Sequence, residues 1–193
     1  MRVISGSLKG RRLQVPKGNR VRPTADRVKE ALFSAITSYI GNFEGLYILD
    51  LFAGSGNLGI EALSRNALYA VFVDSHKDSV KIIDENLSAT AFHGKAKVFH
   101  GDATNILDLL EKKQLLFDII FIDPPYRETE LISTVINKIS GSLLMNRDAI
   151  IILETAKGVD IQVPVSLTLL KEKIYGDTKI LMISPKNNSQ ENQ

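Results

Sequence analysis

From Leu46 onward the chain alternates two kinds of hydrophobic pattern. Short apolar runs, "LYILD", "YAVFVD", "AKVFHGD", "FDIIFID" and "DAIIILE", are separated by segments in which apolar residues recur every three or four positions. The runs predict strands, and the segments between them predict helices over roughly 58–65, 76–91, 103–113 and 128–140. Strand and helix in turn is the pattern of a parallel sheet covered on both faces, which also explains why the strands are apolar throughout. The alternation then stops. "LTLLKEKIYG" and "DTKILMIS" are two strands joined through Gly176 and Asp177 with no helix between them, which predicts an antiparallel hairpin added to the sheet and seven strands in all.

Ahead of this body, residues 1–16 alternate loosely around Gly-Ser-Leu-Lys-Gly and predict a short hairpin. Pro23 and Thr24 open a predicted helix in which Val28, Ala31, Leu32, Ala35 and Ile36 keep helical spacing up to Tyr39. The expected organisation is one α/β domain over residues 1–184: a basic hairpin-and-helix extension over 1–40, a core over 46–184, and a polar tail, 185–193, expected to be disordered.

Composition narrows the class. The chain has 193 residues, 44% of them hydrophobic and 24% charged. No apolar run approaches the roughly 20 residues of a membrane span, and the N-terminus lacks the apolar centre of a signal peptide. A cytoplasmic protein is expected. With no cysteine there is no thiolate nucleophile and no sulfur-bound zinc. His76, His93 and His100 lack the spacing of metal ligands, so no metal is expected. The net charge of +2 hides an asymmetry: residues 1–30 carry nine Lys/Arg against Asp26 and Glu30, or +7, which leaves −5 on the remainder. A basic end on an acidic body suits a protein that meets a polyanion with one face.

The candidate chemistry lies where the strands stop. Ligands of open α/β sheets bind beyond the carboxyl ends of the strands, and four successive strands here end in or run into an acid: Asp50, Asp74, Asp102 and Asp123. Gly54 and Gly56 follow the first strand, where glycine lets the backbone turn tightly and approach a ligand. Gly59 is expected to fall outside the register of the G-x-G-x-x-G dinucleotide loop. That expectation, with the antiparallel end of the sheet, counts against a nicotinamide oxidoreductase. The acid and the glycines suit a zwitterionic, ribose-bearing ligand. Asp74 is placed for both ribose hydroxyls, and Asp102 with the Ala103 N–H for an adenine edge.

"DPPY", Asp123 to Tyr126, ends the fourth strand. Proline fixes φ and offers no N–H, so Pro124 and Pro125 stiffen the segment and leave free carbonyls. The Asp123 carboxylate and Pro124 carbonyl are acceptors for an exocyclic base amine, and Tyr126 offers a ring on which the base stacks. Holding both amine hydrogens directs nitrogen at an electrophilic methyl group, with positioning supplying most of the acceleration.

These motifs together resemble the class I S-adenosylmethionine-dependent methyltransferases over about residues 46–184. By that resemblance Asp50 and the loop Phe52, Ala53, Gly54, Ser55 and Gly56 hold the methionine part, Asp74 and Ser75 the ribose, and Asp102 and Ala103 the adenine. With "MRVISGSLKGRRL", "RPTADRVKEALF", "LDLFAGSGNLGIEALSR" and "YGDTKI" added, the chain is similar to the RsmD family, 16S ribosomal RNA guanine N2-methyltransferases, over nearly its whole length. The resemblance implies a Rossmann-like fold, S-adenosylmethionine as cofactor, and 16S rRNA, within the small ribosomal subunit, as partner; a monomer is expected. Arg2, Lys9, Arg11, Arg12, Arg22 and Arg27, with Lys17 and Arg20, are then candidates for phosphate contacts, although Arg22 to Thr24 could instead close the cofactor pocket. An adenine N6-methyltransferase and a noncatalytic RNA-binding protein on the same scaffold are the alternatives.

Overall fold

The computed structural model describes residues 1–16, 26–124 and 129–186. Twelve regular elements follow in chain order: α1 Asp26–Ile40, β1 Tyr47–Leu51, α2 Asn57–Ser64, β2 Tyr69–Asp74, α3 Lys77–Ala89, β3 Ala96–His100, α4 Ala103–Lys112, β4 Phe117–Ile122, α5 Thr129–Ser140, β5 Met145–Ala156, β6 Leu167–Tyr175 and β7 Thr178–Pro185. The sheet has the seven strands that the pattern of apolar runs predicts, and their order is β3-β2-β1-β4-β5-β7-β6. The chain divides into two compact units, Met1–Ala103 and Thr104–Gln193.

In the first unit β1, β2 and β3 pair in parallel, Asp50 opposite Phe72 and Asp74 opposite His100. β2 is buried along Ala70–Asp74, as a strand covered on both faces must be. Its Phe72 and Phe33 of α1 have no exposed surface. α2 is buried on every side, although it carries Asn57, Glu61 and Ser64. Polar groups in such a place need partners, and the N-terminal segment supplies them.

That segment is a sparse hairpin. A single bridge, Arg2 with Arg12, is joined by backbone bonds from Val3 N to Arg11 O (2.9 Å) and Leu13 N to Met1 O (3.0 Å), and a 3-10 turn over Gly6–Leu8 makes the bend. Pairing is sparse because the segment spends its polar groups on α2. Glu61 accepts from the amides of Ile4 (2.8 Å) and Ser5 (3.0 Å), and the Ser64 hydroxyl donates to Ser5 O (2.7 Å) while accepting from Leu8 N (3.0 Å). Glu61 also pairs with Lys29 (3.2 Å) and Arg65 (3.0 Å), and the Lys29 ammonium donates to Arg2 O and to Asn57 Oδ1. Burial pulls the pKa of Lys29 down, against the opposing pull of Glu61. Lys29 therefore belongs to the interior, and one of the nine basic residues drops out of any surface count.

In the second unit β4 and β5 are parallel, whereas β7 runs antiparallel to both β5 and β6, which confirms the predicted hairpin. β4 buries Phe117 and Ile119–Ile122, and α5 buries Ile132, Val135, Ile136 and Ile139 against the core. β6 lies at the sheet edge and is exposed along most of its length; Lys171, Glu172 and Lys173 guard it against edge pairing. The entrance to α1 at Pro23 and Thr24 falls outside the described residues, as does most of the polar tail.

Candidate functional site

In the first unit the carboxyl ends of β1, β2 and β3 are laced together by hydrogen bonds. β1 gives way to a loop in which Phe52 has φ +61°, Gly54 +57° and Gly56 +75°. A non-glycine side chain in that region is uncommon, and such strain persists where the surroundings fix it. They do so here: Ala53 N donates to Val73 O (3.0 Å) and Gly56 N to Ala53 O (2.7 Å), and Gly56 then begins α2.

Asp74 organises the neighbouring turn. Its Oδ2 accepts from Gly54 N (2.8 Å) and its Oδ1 from His76 N (2.8 Å), which satisfies an amide at the start of α3 where the cap residue itself gives no side-chain bond. Its carbonyl accepts from Gly101 N (3.0 Å). The His76 ring Nδ1 also lies 3.4 Å from Oδ1; an ionised carboxylate has about four acceptor positions, so Oδ2 in particular keeps capacity. Ser75 is exposed beside it; its hydroxyl meets His76 Nδ1 (3.2 Å), and its carbonyl meets His100 Nε2 (3.1 Å). Asp102 is exposed just ahead of α4, whose first residue, Ala103, is buried. Asp50, Asp74 and Asp102 thus stand along one edge, as the sequence pattern predicts.

Asp50 differs from the others in being 2% exposed. Its Oδ2 accepts from Gly59 N (2.9 Å), which ties the end of β1 to the first turn of α2. Burial pushes its pKa up to about 8; the Gly59 bond opposes that rise and the charge of Asp74 adds to it.

Gly59 corrects one expectation. Gly54, Gly56 and Gly59 occupy the first, third and sixth places of G-x-G-x-x-G, so the glycine spacing does not separate this loop from a dinucleotide loop. A Cβ at Gly59 would lie 2.3 Å from the Phe72 ring and 3.2 Å from Asp50 Oδ2, so the third glycine permits close packing of helix on strand. What sets this sheet apart is the antiparallel β7 inserted between β5 and β6.

In the second unit Asp123 follows β4 directly and is half-buried, and Pro124 is buried. Pro125 and Tyr126 lie outside the described residues. β5 supplies a residue that the strand-end argument passed over: Ile122, the last residue of β4, is in register with Leu153, and the next residue of β5 is Glu154, 5% exposed. The signal was present, since "DAIIILE" also ends in an acid.

Among the basic candidates Arg2, Lys9, Arg11, Arg12 and Arg27 are exposed. Two of them have partners, Arg2 with Asp26 (2.7 Å) and Arg11 with Ala89 O (2.8 Å), while Arg22, Lys17 and Arg20 fall outside the described residues. Among the described residues no His, Asp and Glu side chains converge in a group of three that could hold a metal ion.

Comparison with known proteins places this geometry in context. The family model described as Conserved hypothetical protein 95 matches residues 1–184. A Bacillus subtilis protein, YlbH, provisionally named an rRNA methyltransferase, is 39% identical over 93% of this chain and 96% of its own. Ribosomal RNA small subunit methyltransferase D of Escherichia coli is 35% identical over 91% of this chain and 85% of its own. A solved Escherichia coli structure, provisionally described as the methyltransferase yhhF, superposes with a TM-score of 0.83 at 34% identity, covering 96% of this chain and 98% of that one.

Proposed function

From the premise that this chain belongs to the Conserved hypothetical protein 95 family, the RsmD family, we propose that it transfers a methyl group from S-adenosylmethionine to the N2 amine of a guanine in 16S rRNA of the small ribosomal subunit. The observation that carries this reading is the pairing of two features on one chain: a strained glycine loop tied to the Asp74 carboxylate, and an Asp123-Pro124 segment at the end of a strand whose last residue, Ile122, is in register with the residue before Glu154.

The donor set of the first unit fits the cofactor. Asp74 is anchored through two backbone amides and keeps acceptor capacity for ribose hydroxyls. Phe52 to Gly56 present backbone to the methionine part, with Asp50 beneath them, and Ala103 and Asp102 face the adenine. S-adenosylmethionine supplies an electrophilic methyl group on a sulfonium centre. Asp123 and the Pro124 carbonyl accept the two amine hydrogens, Pro125 stiffens the segment and Tyr126 stacks the base. Held in this way, the nitrogen is aimed in line with the methyl-sulfur bond; the surplus proton leaves after attack, with Asp123 as acceptor.

Glu154 favours guanine over adenine. Guanine offers an N1–H donor beside its N2 amine, and a carboxylate accepts from such neighbouring donors, whereas adenine presents an acceptor at N1 that a carboxylate repels. Arg2, Lys9, Arg11, Arg12 and Arg27, all exposed, contact phosphates, which position the RNA without choosing the base.

Small subunits lacking the modification test this when incubated with methyl-labelled cofactor. Wild-type protein is expected to label their RNA, and Asp123→Ala to lose labelling while retaining RNA on a filter. Equal loss of retention would show that Asp123 holds the RNA rather than orienting the amine. Glu154→Gln is expected to weaken discrimination for guanine.

A further inference from the structure

Asn86 lies inside α3, in its last turn, 2% exposed, and asparagine is a poor choice there on helix propensity alone. Both amide hydrogens and the amide oxygen of its side chain have partners, drawn from two other parts of the first unit. Oδ1 accepts from Gln14 N (2.8 Å), and Nδ2 donates both to Gln14 O (3.0 Å) and to Ser55 O (2.9 Å). Toward Gln14 the amide imitates a neighbouring strand. Toward Ser55 it holds a carbonyl of the glycine loop.

The second contact has a geometric consequence. The Ser55 carbonyl and the Gly56 N–H share one rigid peptide plane. Asn86 holds one side of that plane, and Ala53 O, accepting from Gly56 N at 2.7 Å, holds the other. With both sides held, the left-handed turns at Gly54 and Gly56 have one shape before any ligand arrives. The N-terminal segment reaches the same residue a second time, where the Ser55 hydroxyl meets Met1 Sδ (3.3 Å).

We infer that Asn86 is a positioning residue that couples docking of the N-terminal segment to the shape of the cofactor loop, so that the segment carrying Arg2, Arg11 and Arg12 sets cofactor affinity. The inference rests on the assignment of Phe52 to Gly56 to the cofactor. Preorganisation of this kind changes affinity and leaves the chemical step alone, because Asn86 touches neither reacting atom. Coupling is reciprocal: whatever fixes the loop also steadies the segment.

Calorimetry with S-adenosylhomocysteine on the full chain tests the inference. Asn86→Ala is expected to raise Kd roughly tenfold, the effect of about one net hydrogen bond lost from the bound form, with kcat at saturating cofactor within about twofold of wild type. Gln14→Ala, which keeps both backbone bonds, is expected to leave Kd unchanged. An unchanged Kd in Asn86→Ala, or a loss confined to kcat, overturns the coupling. Should that variant not fold, hydrogen exchange on the wild-type protein decides: the Gln14 amide is expected to gain protection when S-adenosylhomocysteine saturates the loop, and no gain overturns the inference. Wild-type protein that binds no S-adenosylhomocysteine overturns the cofactor assignment itself.

Discussion

The amide of Gly54 donates to Oδ2 of Asp74 across 2.8 Å, so the turn after β1 and the turn after β2 are held by one carboxylate. The other oxygen of that carboxylate is taken by His76 N. A single neutral substitution therefore disturbs the glycine loop, the start of α3 and the proposed ribose site together.

Asp74→Asn tests this. The amide has one acceptor where the carboxylate has two, so one backbone N–H loses its partner and a ribose hydroxyl loses a charged one. Affinity for S-adenosylmethionine is expected to fall roughly 10- to 100-fold by calorimetry, the range for a charge-assisted hydrogen bond. An unaltered affinity would take the ribose role away from Asp74.

Glu61 makes a prediction about stability. Four donors converge on its carboxylate: the amides of Ile4 and Ser5, Arg65 and the buried Lys29. Glu61→Gln leaves Lys29 as an uncompensated buried charge and is expected to cost about 3 kcal/mol in urea denaturation. A cost under about 0.5 kcal/mol would mean that the N-terminal segment docks without help from Glu61, through Val3, Leu13 and its bonds to Ser64 and Asn86.

Two glycines with different surroundings give a paired comparison. Gly59→Ala places a Cβ 2.3 Å from the Phe72 ring and is expected to destabilise by about 1–3 kcal/mol through overpacking. Gly94→Ala meets nothing within 4 Å and is expected to change stability by less than about 0.5 kcal/mol. Thermal unfolding of the two variants separates close packing at Gly59 from a general intolerance of alanine.

Much of this was legible in the chain. The strands were, because a parallel strand buried on both faces leaves an unbroken apolar run, as in "YAVFVD", which became β2 without change of boundary. The acids at the strand ends followed from the same runs. The partners of the N-terminal segment were not legible: Glu61, Ser64 and Asn86 look like solvent-facing positions until the segment that covers them is placed. Lys29 looks like part of the basic end for the same reason, yet it is buried. Charge along a chain says nothing of which cation finds a buried carboxylate 32 residues away in sequence. Gly59 stands in the third glycine place of the dinucleotide loop, and the close approach of Phe72 shows what it does.

Asp50 gives the fold a pH dependence. Its carboxyl is raised from 3.8 to about 8, so the folded state keeps a proton that the unfolded chain releases between those values. The stability from this group is fully present below about pH 4 and is lost as pH rises through about 8, at no more than about 1.4 kcal/mol per pH unit. Urea midpoints of wild type and Asp50→Asn, measured from about pH 5 to about pH 9, are expected to differ in slope, with the wild type falling more steeply. Parallel curves would place the Asp50 pKa near its ordinary value.

The central claim is the identity of the methylated atom. Methyl transfer to unmodified small subunits, followed by digestion of the RNA and nucleoside analysis, reads it directly. The account predicts N2-methylguanine at one site with wild-type protein and none with Asp123→Ala. N6-methyladenine as the product, or no methylated nucleoside in RNA from subunits to which the protein has bound, would contradict it.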